Sequence, residues 1–105
     1  MPEKIVIQQA IKALSQDVFK VIDSENWEHV AIVQDDRLAA LKRILLQAEK
    51  TLPAEDMREC IALVKQEDEI IKQRVIAEQQ ALKQQQAQRQ KNRRAISKYQ
   101  NSPQE

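Results

Sequence analysis

The residues of this chain that could do chemistry are few, and their spacing does not predict a catalytic site. His29 is the single histidine, and a histidine base needs an orienting carboxylate and a nearby nucleophile. Asp35 and Asp36 are close in sequence, but nothing marks a cleft around them. Cys60, the single cysteine, lies on an apolar helical track, which predicts a small buried hydrophobe rather than a reactive thiol.

Acidic residues occur in adjacent groups that could suggest a metal site. These groups are Asp35-Asp36, Glu55-Asp56 and Glu67-Asp68-Glu69. Consecutive residues of a helix point in different directions, so adjacent acids make a poor ligand set and are better explained as a solvated face. We therefore expect no metal, no cofactor and no enzymatic activity.

The chain of 105 residues contains no glycine. Glycine supplies the positive-φ turns and the phosphate-cradling loops of nucleotide sites, so phosphate-binding and dinucleotide-binding loops are excluded. Gln, Ala, Glu, Lys, Leu and Ile dominate, and all of these except Ile are strong helix formers. With three aromatic residues, the single modest core must be aliphatic.

Apolar residues recur at helical spacing in three segments, which predict helices over about 3–22, 25–50 and 54–82. A polar cluster at 23–26 ends the first, and any of Asp23, Ser24 and Asn26 could cap the second. Pro53 suits the start of the third. The predicted fold is all-α, an antiparallel helical hairpin plus a long third helix, in a three- to four-helix bundle over residues 1–82.

Residues 83–105 differ in kind from the rest and predict a Gln-rich basic arm. Residues 1–82 carry 11 Lys/Arg and 15 Asp/Glu, a net charge of −4, whereas 83–105 carry 6 and 1, a net of +5. We expect the arm to be partly helical to about residue 99, with a disordered tail. Three states stay open for the arm: a solvated helix, a segment that folds back after a break, and a disordered segment.

No segment is apolar over the roughly eighteen residues of a membrane span, and the N-terminus lacks a secretory pattern. We therefore expect a cytoplasmic protein without membrane insertion.

Three stretches follow one another in a characteristic order: Val21-Ile22-Asp23-Ser24-Glu25-Asn26-Trp27-Glu28, then Gln34-Asp35-Asp36-Arg37 with Leu41, then the loop Leu52-Pro53-Ala54-Glu55. Together they resemble the signature of FliT-type flagellar export chaperones. Two later segments also resemble that family. They are the third helix from Ile61 to Ile71 and the ending Arg93-Arg94-Ala95-Ile96-Ser97-Lys98-Tyr99. The likeness covers nearly the whole chain. One departure is that relatives often break between a third and a shorter fourth helix.

The resemblance implies a cytoplasmic chaperone for the filament-cap protein of the bacterial flagellum. Such proteins bind a C-terminal helical segment of the cap subunit, prevent premature assembly and deliver the subunit to the type III export apparatus. Some also contact the export ATPase, the export gate or a flagellar transcription regulator. In the family, the C-terminal segment can cover the client groove and the closing tyrosine helps docking on the export gate.

Two tracks of apolar side chains could form the client groove, and the alternative is that they pack against each other as ordinary core. The candidates are Val30, Val33, Arg37, Ala40 and Ile44 on the second helix and Leu63, Ile70 and Ala77 on the third. Arg37 interrupts its track; it either pairs with Asp68 or Glu67 or stays free for a client carboxylate. In the arm, Ile96 and Tyr99 are candidates for pinning the arm or for docking on the export gate.

Two other classes of function stay open. The second helix has two apolar tracks side by side, which favour groove recognition or homodimerisation over a single two-stranded rod. A homodimeric adaptor and a coiled-coil or helical scaffold are therefore the first alternative. The basic arm could meet phosphates, but no aromatic residue interrupts it before Tyr99, so nucleic-acid binding is the less favoured alternative.

Overall fold

The computed structural model describes residues 3–100, with side chains as far as Ala95. The helices are α1 (Glu3–Asp23), α2 (Trp27–Glu49) and α3 (Ala54–Gln100). The three helices pack together, and none of residues 3–100 forms a strand. The predicted all-α class is confirmed.

The turn between α1 and α2 is built without glycine. Ser24 donates its backbone N–H to the carbonyls of Lys20 and Val21, and Glu25 donates to that of Ile22. Glu25 adopts φ 59°, the left-handed geometry that commonly ends a helix. Asn26, among the three residues that could cap α2, accepts the backbone N–H of His29 on its side chain.

The second turn lies between Glu49 and Ala54. The carbonyl of Ala48 accepts backbone N–H groups from both Thr51 and Leu52, at 3.0 and 2.8 Å, which closes α2. Proline has no N–H and disfavours helical geometry in the residue before it, so Pro53 separates the two helices. Glu55 and Asp56 occupy the first turn of α3, where negative charge favours the helix dipole.

The core lies along one stripe of each helix. Its centre is a cluster of Ile11, Leu41 and Cys60, each 3 % exposed or less. The partly buried side chains around this cluster are Ile7, Leu14, Leu45, Leu52, Leu63 and Val64. Further buried apolar side chains are Val18, Ile22, Val30, Ala48 and Ile71. The core is thus aliphatic, as the composition requires.

Polar contacts to α3 lie on either side of this core. Arg74 contacts the carboxylate of Asp23, and its guanidinium carbon lies 5.5 Å from the centre of the Phe19 ring. Lys4 Nζ lies 2.8 Å from a carboxylate oxygen of Glu59. These contacts join the two ends of α1 to α3.

The chain divides into two compact units, of which the first ends at Arg74 and the second begins at Val75. The predicted boundary was eight residues later, at Leu82, where the apolar pattern of the sequence ends. The first unit contains α1, α2 and the start of α3 with the whole core described above. No described helix is apolar over enough of its length to cross a membrane.

In the second unit the backbone remains helical as far as Gln100, with no break between residues 82 and 83. Through Ala95, its side chains are exposed apart from Val75, Glu78 and Leu82, which are half-buried. The arm is thus helical over these residues, one of the three states that the sequence left open. The side chains of Ile96 and Tyr99, and the tail 101–105, lie outside the described residues.

Candidate functional site

An open apolar cleft runs between α1 and α2. Its upper section has a volume of about 620 Å³. Val6, Ile7 and Ala10 line it from α1, while Ile44 and Gln47 line it from α2. Val6 is 47 % exposed, so apolar surface is available to a partner at this point.

A lower section of about 540 Å³ continues towards the turn between α1 and α2. Leu14 and Val21 line it from one side, and Val33 and Ala40 from the other. Arg43 lines both sections, so we describe the two together as the α1–α2 cleft. The cleft has apolar walls with charged groups at intervals, which is the usual composition of a peptide-binding groove.

The structure brings together most of the groove candidates on α2. Val33, Arg37, Ala40 and Ile44 all line the α1–α2 cleft. Val30 instead is 9 % exposed and belongs to the core.

The candidates on α3 do not join this cleft. Leu63 packs against the core cluster, and Ile70 is 45 % exposed outside the clefts described here. Ala77 is exposed and belongs to the second unit. The two predicted tracks therefore do not form the walls of one groove. The opposite wall is supplied by α1.

Sequence reasoning missed the residues of α1 as site residues. Val6, Ala10 and Val21 widen the apolar stripe of α1 beyond what its core contacts need, and this excess was the available signal.

Arg37 is the most unusual group of the cleft, since its side chain is only 1 % exposed. Its Nη1 atom lies 2.7 Å from Oδ1 of Asp68 on α3, so the predicted pairing with Asp68 is confirmed. This contact is an ion pair without hydrogen-bond alignment, and Nε and Nη2 have no acceptor among the described residues. Glu67, the other predicted partner, is 9 % exposed.

Two more polar atoms are buried without a partner among the described residues, Oγ of Ser15 and Oε1 of Gln34. Ser15 follows Ile11 by one helical turn, and Arg37 precedes Leu41 by one turn. Because Ile11 and Leu41 belong to one cluster and α1 and α2 run antiparallel, Ser15 lies at the level of Arg37. Ser15 and Arg37 thus place buried polar groups at one level of the bundle, next to the aliphatic core.

A second cleft of about 580 Å³ lies between α2 and the beginning of α3. Leu45, Leu46 and Glu49 line it from α2, and Met57 and Ile61 from α3. The charged residues of its lining are Lys42 and Glu49, and neither is buried.

The other chemically competent residues do not line either cleft. His29 is exposed in the first turn of α2. Cys60 is fully buried, and burial raises the pKa of its thiol, with the carboxylates of Asp56 and Glu59 adding to the effect. The hydrogen bond to Glu59 raises the pKa of Lys4. Within the described part of the chain, no three His, Cys, Asp or Glu residues are grouped so as to hold a metal ion.

No protein-family model matches this chain, and no curated protein or solved structure matches it either. The resemblance to FliT-type chaperones therefore rests on the residues of the sequence alone.

Proposed function

We propose that the protein is a chaperone of flagellar type III export that binds the C-terminal helical segment of the filament-cap protein. Binding prevents premature assembly of the cap subunit and delivers it to the export apparatus in the cytoplasm. The export ATPase, the export gate and a flagellar transcription regulator are its further proposed partners, and it has no enzymatic activity. These assignments follow the resemblance of the sequence.

The observation that supports client binding best is the α1–α2 cleft. An amphipathic helix docks through apolar side chains spaced along one face, and it needs an apolar groove that the receptor does not fill itself. Val6, Ala10 and Ile44 form such a surface in the upper section. The cleft extends along both helices, so successive turns of a client helix can contact it.

The test is co-purification of the full-length chain with the cap protein of the same bacterium, followed by calorimetry. We expect a complex of fixed stoichiometry. Val6→Glu places a charge in the cleft and should weaken the complex at least tenfold. Leu38→Glu is the matched control because Leu38 is 49 % exposed, close to the 47 % of Val6, and lies outside the cleft.

A cap protein that does not bind the unaltered chain would overturn the assignment of client. A cap protein that binds both variants equally well would move the client away from the α1–α2 cleft. A concentration-dependent oligomer that forms without client would favour the alternative, a self-associating scaffold.

A further inference from the structure

The guanidinium of Arg37 has a free edge. Asp68 contacts Nη1, which leaves Nε and Nη2 without an acceptor. These two nitrogens form the side-on edge of the planar guanidinium, where two parallel N–H groups match the two oxygens of one carboxylate. A buried donor without an acceptor costs about 1–3 kcal/mol, so a site of this kind favours an incoming acceptor.

The free edge belongs to a side chain that lines the lower section of the α1–α2 cleft. Lys20 and Arg43 line the same section, so three cations accompany the two acids Asp17 and Asp36 there. Asp68 balances the charge of Arg37, so the preference for an anion comes from the unpaired N–H groups of Arg37 and not from a net charge. Leu14, Val21 and Val33 supply apolar walls next to it.

No acceptor among the described residues is hydrogen-bonded to this edge. Ser15 Oγ and Gln34 Oε1 are buried and lack partners, but each offers a single neutral oxygen. A carboxylate offers two oxygens and a charge, and charge-assisted hydrogen bonds are roughly twice as strong as neutral ones. Asp68, which is 47 % exposed, compensates the charge of Arg37 only from the side of α3.

We propose that the free edge of Arg37 binds the α-carboxylate at the C-terminus of the client helix. This inference rests on the proposed function, in which the bound segment is C-terminal. Arg37 is 1 % exposed, so a ligand group must enter the cleft to reach it. The terminal carboxylate of a client helix can enter the cleft at the end of the chain. The backbone of a helix that continues past this point stays outside the cleft, because the walls of the cleft hold it away from Arg37. The last apolar side chain of the client then packs against Leu14, Val21 and Val33.

The first test uses the unaltered full-length chain and two small probes. N-acetyl-leucine carries an apolar side chain and a carboxylate, and N-acetyl-leucinamide lacks only the charge. The Nε–H resonance of Arg37, assigned by its absence in Arg37→Lys, should shift on titration with the acid and stay in place with the amide. Equal responses to both probes, or no response to the acid, would overturn the proposal.

The second test uses the C-terminal peptide of the cap protein as the free acid and as the amide. We expect the free acid to bind at least tenfold more tightly, and Arg37→Lys to remove most of this difference. Arg58→Lys, an exposed position of α3 outside the clefts, is the control and should leave the difference unchanged. If Arg37→Lys does not fold, the comparison of the free acid with the amide on the unaltered chain still tests whether the protein recognises the terminal carboxylate.

The outcomes separate the two proposals. Tight binding of both peptide forms with equal affinity overturns the carboxylate site and leaves the chaperone function standing. A shift of Arg37 with N-acetyl-leucine, combined with failure of both peptides and of the whole cap protein to bind, supports the site and overturns the assignment of client.

Discussion

Nη1 of Arg37 lies 2.7 Å from Oδ1 of Asp68, yet the two side chains differ greatly in their access to water, at 1 % and 47 % exposure. The cation is thus buried in the bundle, while its counter-ion is held at the surface of α3. Such a pair is asymmetric, because removing the acid leaves a buried charge and removing the base leaves a hydrated one.

This asymmetry predicts that Asp68→Asn is more destabilising than Arg37→Met. The first should lower the free energy of unfolding by about 1–3 kcal/mol, since it leaves a buried charge without its partner. The second replaces the cation by an apolar side chain and should change stability by less than about 1 kcal/mol or raise it. Urea denaturation measures both, and the exposed Asp35→Asn on α2 is the control. The reverse order would show that Arg37 contributes mainly through packing.

The aliphatic core makes a second prediction. Leu41 is 3 % exposed at the centre of the cluster, and Leu41→Ala should destabilise the protein by about 2–5 kcal/mol by leaving a cavity. Leu46→Ala on the same helix is the matched control, because Leu46 is 54 % exposed. It should change stability by no more than about 0.5 kcal/mol. Thermal unfolding followed by circular dichroism distinguishes them, and equal effects would contradict the placement of the core.

Cys60 should react slowly and make stability depend on pH. Burial raises its pKa in the folded protein, so the native state keeps the proton at a pH where the unfolded thiol, with a pKa of about 8.5, has lost it. Stability should therefore fall as pH rises above about 8.5, because the unfolded state then binds fewer protons. Cys60→Ala should reduce this slope. Iodoacetamide should modify the native chain much more slowly than the urea-unfolded chain, and equal rates would contradict the burial.

A chain ending at Leu82 should keep its fold, since the core lies in the unit that ends at Arg74. We expect its unfolding temperature to fall by no more than a few degrees. If the arm covers the client groove, this shorter chain should also bind the cap protein at least as tightly as the full chain. Loss of cooperative unfolding, or weaker binding, would show that residues after Leu82 contribute to the fold or to the client site.

Tyr99→Ala tests the role that the resemblance implies for the arm. We expect this variant to bind the cap protein normally and to dock less well on the export gate, as measured by pull-down with the purified gate domain. Tyr99 lies in the last helical turns of α3, and its side chain is outside the described residues. An equal loss of both activities would contradict a separate docking role.

The helices and their order were predictable because local patterns determine them. Apolar spacing placed α1 and α2, and Pro53 placed the start of α3. The predicted boundary at Leu82 differs from the end of the first unit because Val75 and Leu82 continue the apolar track of α3 beyond Arg74. Apolar spacing alone does not specify which turns of a helix have a partner.

The cleft was only half predictable, for a similar reason. The apolar track of groove candidates on α2 indicated one wall, but the rotation of α1 about its axis decides which residues form the other. Ser15 was missed because a serine interrupts an apolar stripe without changing its period, so its burial at 1 % exposure follows only from packing.

The left-handed geometry of Glu25, the only positive φ among residues 3–100, has a practical consequence. A residue with a Cβ atom in this conformation costs roughly 1–2 kcal/mol, and glycine adopts it almost freely. Glu25→Gly should therefore stabilise the protein, although its greater freedom in the unfolded chain offsets part of the gain. Because Glu25 is exposed and lies outside both clefts, the stabilised chain would be a suitable background for screening. Cleft variants too unstable to purify from the natural sequence could be assayed in it for client binding.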